Sequence, residues 1–201
     1  MMRGSGCQRS LTVQRLPGST SLIQKAMTDP KLHTSVLGGG CFWCMEAIYK
    51  GMPGIHSVVA GYAGGSTHHP SYEAVCSGYT GHAEVVQITY HPERISYRQI
   101  IDLFWKAHNP TTLNRQGADR GTQYRSIILY DSETQKTEAE ASLSAAALDF
   151  KDPILTEIKP LGIFCPAEEY HQDFYEKNPT HPYTAAVIQP KLDTLKNLHL
   201  I

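Results

Sequence analysis

Residues Gly38-Gly39-Gly40-Cys41-Phe42-Trp43-Cys44 impose the tightest constraint on how this chain of 201 residues can fold. They follow a short apolar run, Ser35-Val36-Leu37, and precede Met45-Glu46-Ala47-Ile48-Tyr49, a segment suited to a helix. The pattern predicts a strand, a tight glycine turn, and a helix whose first turn carries Cys41. Glycine tolerates positive φ and lets another molecule approach the backbone closely. A helix N-terminus leaves N–H groups unpaired and carries partial positive charge. Such a position favours a thiolate and predicts a Cys41 pKa below the free value of about 8.5. Cys41 reads as an activated nucleophile. Phe42 and Trp43 could wall an apolar pocket beside its sulfur, and Cys44, one helical turn on, completes a Cys-x-x-Cys. The plain alternative makes both aromatics and Cys44 core and Cys41 inert, although a glycine triplet before cysteine has little packing value.

The length suits one domain with a sizeable core, and leaves little room for a second. With 41% hydrophobic and 18% charged residues, the composition is that of a soluble globular protein. A net charge of −1 gives no electrostatic case for nucleic acid or an anionic membrane. No apolar run reaches the roughly 18 residues of a membrane span. Five cysteines, two of them in Cys-x-x-Cys, argue for a reducing compartment rather than a disulfide scaffold. We therefore expect a cytoplasmic monomer. Residues 1–30 read as a leader outside the domain at 31–201. Up to residue 28 they contain Arg3, Arg9, Arg15 and Lys25 and no acid, which is compatible with organellar import. Pro17-Gly18 interrupts any amphipathic helix there, so a disordered leader fits equally well, and Cys7 reads as a bystander.

Along the chain, Ile55–Tyr62 alternates as a strand does, and Ser71 is placed to cap a short helix reaching Cys76. Ala83–Tyr90 is a strong strand. Ser96 opens a helix with Ile100, Leu103, Phe104 and Ala107 at helical spacing. Residues 108–125 form a long polar connection without evident structure, the kind that usually carries function. A strand at Ser126–Tyr130, a helix at Ser132–Phe150, a strand at Pro153–Lys159 and a helix at Glu168–Lys177 follow. Beyond Asn178 prolines break up the chain. Mixed strands and helices in this order indicate an α+β two-layer domain.

Glu84 opens an otherwise apolar strand. Desolvation there would favour its protonated form and make it a usable acid near neutral pH. A surface glutamate at a strand end is the ordinary alternative. Tyr72 and Tyr124 taken singly read as packing residues, and Asp119-Arg120 as an internal salt bridge.

Taken together, several blocks resemble the A-type peptide methionine sulfoxide reductases: Gly-Cys-Phe-Trp at 40–43, Gly-Tyr-Ala-Gly-Gly at 61–65, and Tyr72-Glu73-Ala74-Val75-Cys76-Ser77. The others are Gly81-His82-Ala83-Glu84-Val85, the run from Gln116 to Ser126, and Glu169-Tyr170-His171-Gln172-Asp173. They follow the family order from about residue 34 to 190. The resemblance implies a single-domain α/β sandwich around a mixed sheet. It also implies reduction of the S epimer of methionine sulfoxide, free or in proteins, without metal or organic cofactor. Cys41 matches the family nucleophile, and Phe42 and Trp43 the residues that hold the substrate methyl group. Glu84 matches the acid at the sulfoxide oxygen, with Tyr72 and Tyr124 the phenols beside it, and Asp119 a carboxylate that orients the substrate. A sulfoxide sulfur is electrophilic only when its oxygen is protonated or strongly hydrogen-bonded, which three such donors would provide. Attack leaves Cys41 as a sulfenic acid, reversible by condensation with a second thiol.

Many relatives carry a resolving cysteine near the C-terminus, where this chain reads His181-Pro182-Tyr183-Thr184 and has none. Cys44 is the first candidate, with Cys165 and then Cys76 behind it; direct attack by an external thiol is the remaining route. Thioredoxin would reduce the resulting disulfide by exchange. A thioredoxin-like dithiol oxidoreductase using Cys41-x-x-Cys44 is the main alternative. A cysteine hydrolase with His82, His108 or His171 as base, and a zinc module on Cys41, Cys44 and Cys76, are others.

Overall fold

The computed structural model describes residues 31–201, so the leader expected at 1–30, with Cys7, lies outside the described residues. Apolar side chains that alternate along three strands decide the architecture. In strand β1 (His33–Gly39), Val36 and Leu37 point to opposite faces, as do Val85 and Val86 in β3 (Ala83–Tyr90). Ile127 and Ile128 do the same in β6 (Ser126–Tyr130). A sheet apolar on both faces must be covered on both, and the result is a two-sided α+β domain.

The strands β1, β2 (Ile55–Ala63), β3, β6, β7 (Glu157–Pro160) and β8 (Phe164–Pro166) form one mixed sheet in the order β7-β6-β1-β3-β2-β8. Only the β6–β7 pair is parallel. On the larger-core face lie helices α1 (Phe42–Lys50), α3 (Tyr97–Ala107) and the C-terminal α6 (Gln189–Asn197), whose Leu192 and Leu195 join Phe104, Ile100, Met45 and Ile48 in that core. On the other face a smaller cluster of Val36, Ala63, Ala83, Val85, Ile127 and Leu129 is closed by Leu161 and Phe164. Helix α4 (Glu133–Ala146) packs against α3, with Trp105 Nε1 donating to Ser142 Oγ at 2.8 Å.

The expected caps are present. Ser71 Oγ accepts from Ala74 N–H at the start of α2 (Tyr72–Cys76), and Ser96 with Gln99 forms a capping box on α3. The connection 108–125 is not structureless: β4 (Arg115–Gln116) and β5 (Asp119–Arg120) pair as a small hairpin, and a 3-10 turn at Thr122–Tyr124 follows.

Two expectations near the C-terminus fail. Residues 168–177 are not one helix. Gln172 is extended, its amide bonding the backbone of Ala60 and Ala167, and Asp173 adopts φ 58°. Only a 3-10 turn at Glu169–His171 and a single turn, α5 (Phe174–Lys177), remain helical. Conversely, prolines do not break up the end of the chain. A π-turn at Thr184–Ile188 runs into α6, and Pro190 is accommodated just beyond that widened turn. The strand expected at Pro153–Lys159 begins only at Glu157, and β8 was not foreseen.

Candidate active site

The glycine triplet delivers the chain from the central strand to the start of α1. Gly40 has φ 96°, and a Cβ there would stand 2.6 Å from the Gln116 side chain, so only glycine fits beneath the β4–β5 hairpin. Cys41 follows as the N-cap residue, one position before the first helical turn in which the sequence places it. Its carbonyl accepts from Cys44 N–H at 3.1 Å, and this turn brings the two thiols to the same side of the helix start.

Glu84 shares its face of β3 with Val86 and Ile88, the face that α1 covers. Its carboxyl is buried, 1% exposed, beneath the first turn of α1. Oε2 accepts from Phe42 N–H at 3.1 Å, and Oε1 has no partner among the described residues. Burial pushes its pKa up to about 8, against the pull of the Phe42 N–H, with Asp119 and Cys44 adding to the rise. At neutral pH the carboxyl holds its proton. Because Oε2 is accepting, that proton belongs on Oε1, the oxygen left free to donate.

The same arrangement reverses the sequence-based expectation for Cys41. The helix-end N–H that would have stabilised a thiolate is given to Glu84 instead. Burial first, then the Cys44 thiol and the Glu84 charge, hold the Cys41 thiol well above its ordinary value. The low-pKa sulfur is Cys44. Interaction with the Cys41 thiol, aided by the charge of Lys191 and the hydroxyl of Tyr183, brings it to about 7 against its own burial.

Trp43 is half-buried and held on three sides. Its ring stacks on Phe174 at 3.5 Å between centroids, Tyr183 meets it edge-on at 5.6 Å, and its Nε1–H donates to His171 Nδ1 at 3.1 Å. Since Nδ1 accepts, the neutral His171 ring carries its hydrogen on Nε2. Burial lowers the His171 pKa and keeps it neutral. Phe42 lies deeper, 1% exposed, against His171 and Tyr62. Tyr72 stands over His171 at 4.6 Å, anchored through its backbone N–H to Glu168. Burial raises the pKa of both Tyr72 and Tyr124, and the Glu84 charge, where that group ionises, adds to each, so the two phenols stay protonated.

Asp119 is not paired with Arg120 as the sequence suggests. Its Oδ2 accepts from Tyr183 Oη–H at 2.7 Å, and the same hydroxyl lies 4.0 Å from Cys44 Sγ. A cavity of about 140 Å³ opens here, lined by Cys41, Cys44, Gln116, Asp119, Tyr183 and Lys191 among others. Tyr183 and Lys191 are the functional candidates that local pattern missed, whereas His171, weighed as a hydrolase base, is placed here as the acceptor for Trp43.

Of the other thiols, Cys165 is buried in β8 opposite Tyr62, and Cys76 is exposed at the end of α2. Neither lines the Cys41–Cys44 cavity. The histidines weighed as hydrolase bases are engaged elsewhere. His108 bonds Phe104 O and Ser126 Oγ and is pushed down to about 3 by burial, while His82 bonds Gly65 N–H and Thr67 O.

Comparison with known proteins points the same way. The family model described as peptide methionine sulfoxide reductase matches residues 33–200. The chain is 54% identical over 162 residues to peptide methionine sulfoxide reductase MsrA of Leptospira borgpetersenii, covering 81% of this chain and 92% of that protein. Among solved structures it is similar to reduced Mxr1 from Saccharomyces cerevisiae, with TM-score 0.72 and 37% identity over 75% of this chain and 88% of that one. It is also similar to Mxr1 in complex with Trx2, with TM-score 0.54 and 26% identity over 74% and 90% of the two chains. The chain belongs to the A-type peptide methionine sulfoxide reductases.

Proposed function

We propose that this protein reduces the S epimer of methionine sulfoxide, free or in proteins, with Cys41 as nucleophile and Glu84 as acid. The observation that carries the assignment is the Glu84 carboxyl. It is buried beneath the nucleophile's helix, protonated at neutral pH, and bonded through one oxygen only. A sulfoxide oxygen placed at Oε1 would take that proton as its S–O bond weakens, with the Tyr72 and Tyr124 hydroxyls as further donors. Trp43, locked by Phe174 and His171, offers a rigid apolar wall to the methyl group, with Phe42 behind it. Asp119 sits at the opposite rim, where its free oxygen can hold the substrate backbone.

In the first half-reaction the Cys41 sulfur bonds to the sulfoxide sulfur. The net exchange converts Cys41 thiol and sulfoxide to Cys41 sulfenic acid and thioether. Cys44 is the adjacent thiol, and its lower pKa makes its thiolate available near neutral pH as the resolving nucleophile. Condensation forms the Cys41–Cys44 bond and releases water. A dithiol reductant returns both thiols, and the relative captured with Trx2 supports a thioredoxin in this role. No metal or organic cofactor enters these steps.

Mass spectrometry after one equivalent of methionine (S)-sulfoxide, without reductant, tests the scheme. Methionine should form with loss of two hydrogens from the wild-type protein, and Cys44→Ser should trap the sulfenic acid. Persistence of an intramolecular disulfide in that variant would move resolution to Cys165 or Cys76. Absence of methionine would overturn the reductase assignment for this chain.

A further inference from the structure

Besides Cys41 and Asp119, the Cys41–Cys44 cavity is walled by groups that the sulfoxide chemistry does not use. Glu84, Tyr72 and Tyr124 do not line it, whereas Cys44, Tyr183 and Lys191 do. Lys191 lies in the first turn of α6, half-buried, and among the described residues it makes no ion pair and no side-chain hydrogen bond. The one carboxylate in the cavity, Asp119, accepts from Tyr183 and makes no ion pair with Lys191, so the cation lies open to a second negative charge. The sulfur of Cys44, a residue 2% exposed, is the group in that cavity able to supply that second charge. Lys191 also lowers the pKa of Cys44, where Asp119 raises it.

Resting on the reading of Cys44 as resolving thiol, we propose that Lys191 is a positioning residue of the regeneration half-reaction. Its ammonium holds the Cys44 sulfur as an anion twice in each cycle. First, the Cys44 thiolate attacks the sulfur of the Cys41 sulfenic acid. The S–S bond forms, the S–O bond breaks, and hydroxide leaves to be protonated to water. Later, the thiolate of an external dithiol attacks the sulfur of Cys41, the more accessible residue at 8% exposed against 2% for Cys44. A mixed disulfide forms on Cys41 and the Cys44 sulfur departs as thiolate beside Lys191. The second thiol of the reductant then displaces Cys41, so the reductant leaves as a disulfide and both enzyme thiols are restored. Thiol exchange is fastest when the leaving sulfur is the more stable anion, which sets this direction of attack. Tyr183 completes the arrangement: its hydroxyl donates to Asp119 at 2.7 Å and, 4.0 Å from the Cys44 sulfur, can turn to donate to that sulfur once it is an anion.

The groups facing Cys44 are Cys41 from the helix cap, Glu84 from β3, Asp119 from β5, Tyr183 ahead of the π-turn and Lys191 from α6. Of these, Lys191 alone is a cation. The test follows conversion of sulfenic acid to disulfide across pH in wild type, Lys191→Met and Lys191→Arg. Lys191→Met should move the midpoint of the rate upward and slow the step about tenfold at neutral pH, one decade per pH unit of midpoint shift, with rates converging in alkali. Lys191→Arg should keep the wild-type midpoint. The ultraviolet thiolate absorbance of the reduced proteins reads the same midpoint without any turnover. An unmoved midpoint in Lys191→Met, or slowing by one factor at every pH, would overturn the role. A disulfide that still forms in Cys44→Ser would instead overturn the reading beneath it, whatever Lys191 does.

Discussion

Glu84 shows how one buried residue sets both the chemistry and a stability cost. Its pKa of about 8 lies above the ordinary 4.5, so the folded state binds the proton more tightly than the unfolded one. That contribution to stability is fully present below the unfolded value and is lost as pH rises through the folded one. Glu84→Gln keeps the shape and the bond from Phe42 N–H but has no acidic proton. We expect it to slow first-turnover methionine formation about a hundredfold or more. Its urea midpoint should fall less between acidic and alkaline pH than the wild-type midpoint does. Rapid-quench assays and urea titrations at both pH extremes check the two halves separately. Cys41 and Glu84 were legible in the sequence because each stands in a short motif with a chemical reason of its own. The Cys41 pKa was not. It depends on which group receives the Phe42 N–H, a contact between residues 42 positions apart. Tyr183 and Lys191 were hidden for the same reason, since each reaches the thiols only through the packing of the C-terminal segment.

At the scale of elements, strands and caps with strong periodicity were readable and the 168–197 segment was not. Alternation named β2 and β3, short apolar runs marked β1 and β6, and serine at the N-cap named α2 and α3. In the C-terminal segment, tertiary hydrogen bonds override local propensity. Glu46 is the clearest case. It sits on α1, almost fully buried, and its carboxylate accepts from the backbone N–H groups of Asp173 and Phe174 at 2.8 and 3.2 Å. That carboxylate caps α5 from another helix and fixes the left-handed Asp173. It therefore also fixes Phe174, on which Trp43 stacks. Glu46→Ala leaves two buried N–H groups without a partner. It should cost about 2–4 kcal/mol, read by urea unfolding. Because the Trp43 wall loosens with α5, KM for methionine sulfoxide should rise more than kcat falls. Gly40→Ala acts through the other side of the site. A positive φ of 96° and a clash with Gln116 should cost about 1–3 kcal/mol and displace the hairpin that carries Asp119.

The whole molecule is asymmetric across its sheet, and stability should follow that asymmetry. The face under α1, α3 and α6 holds the large core, with Phe104 fully buried at its centre beside Trp105 and His108. The opposite face holds a smaller cluster whose lid residues, Leu161 and Phe164, are only partly buried. The thiols, Glu84 and Trp43 all belong to the larger-core side, so its packing is also the scaffold of the chemistry. Phe104→Ala removes a ring that nothing can replace without a cavity, and should destabilise the fold by about 3–5 kcal/mol. Phe164→Ala removes a ring already in contact with water on one side, and should cost less, on the order of 1–2 kcal/mol. Urea unfolding of the two variants against wild type checks the ordering. The two faces should also separate in function. At a denaturant concentration where Phe164→Ala remains folded, its first turnover should match the wild-type rate. Phe104→Ala, measured while still folded, should be slowed, because the ring it loses lies under the glycine turn that positions Cys41. A Cβ added at Gly39 would meet the Phe104 ring at 3.0 Å, so the ring packs closely against the glycine turn. Equal first-turnover rates in the two folded variants would mean that the turn is held by the hairpin side alone.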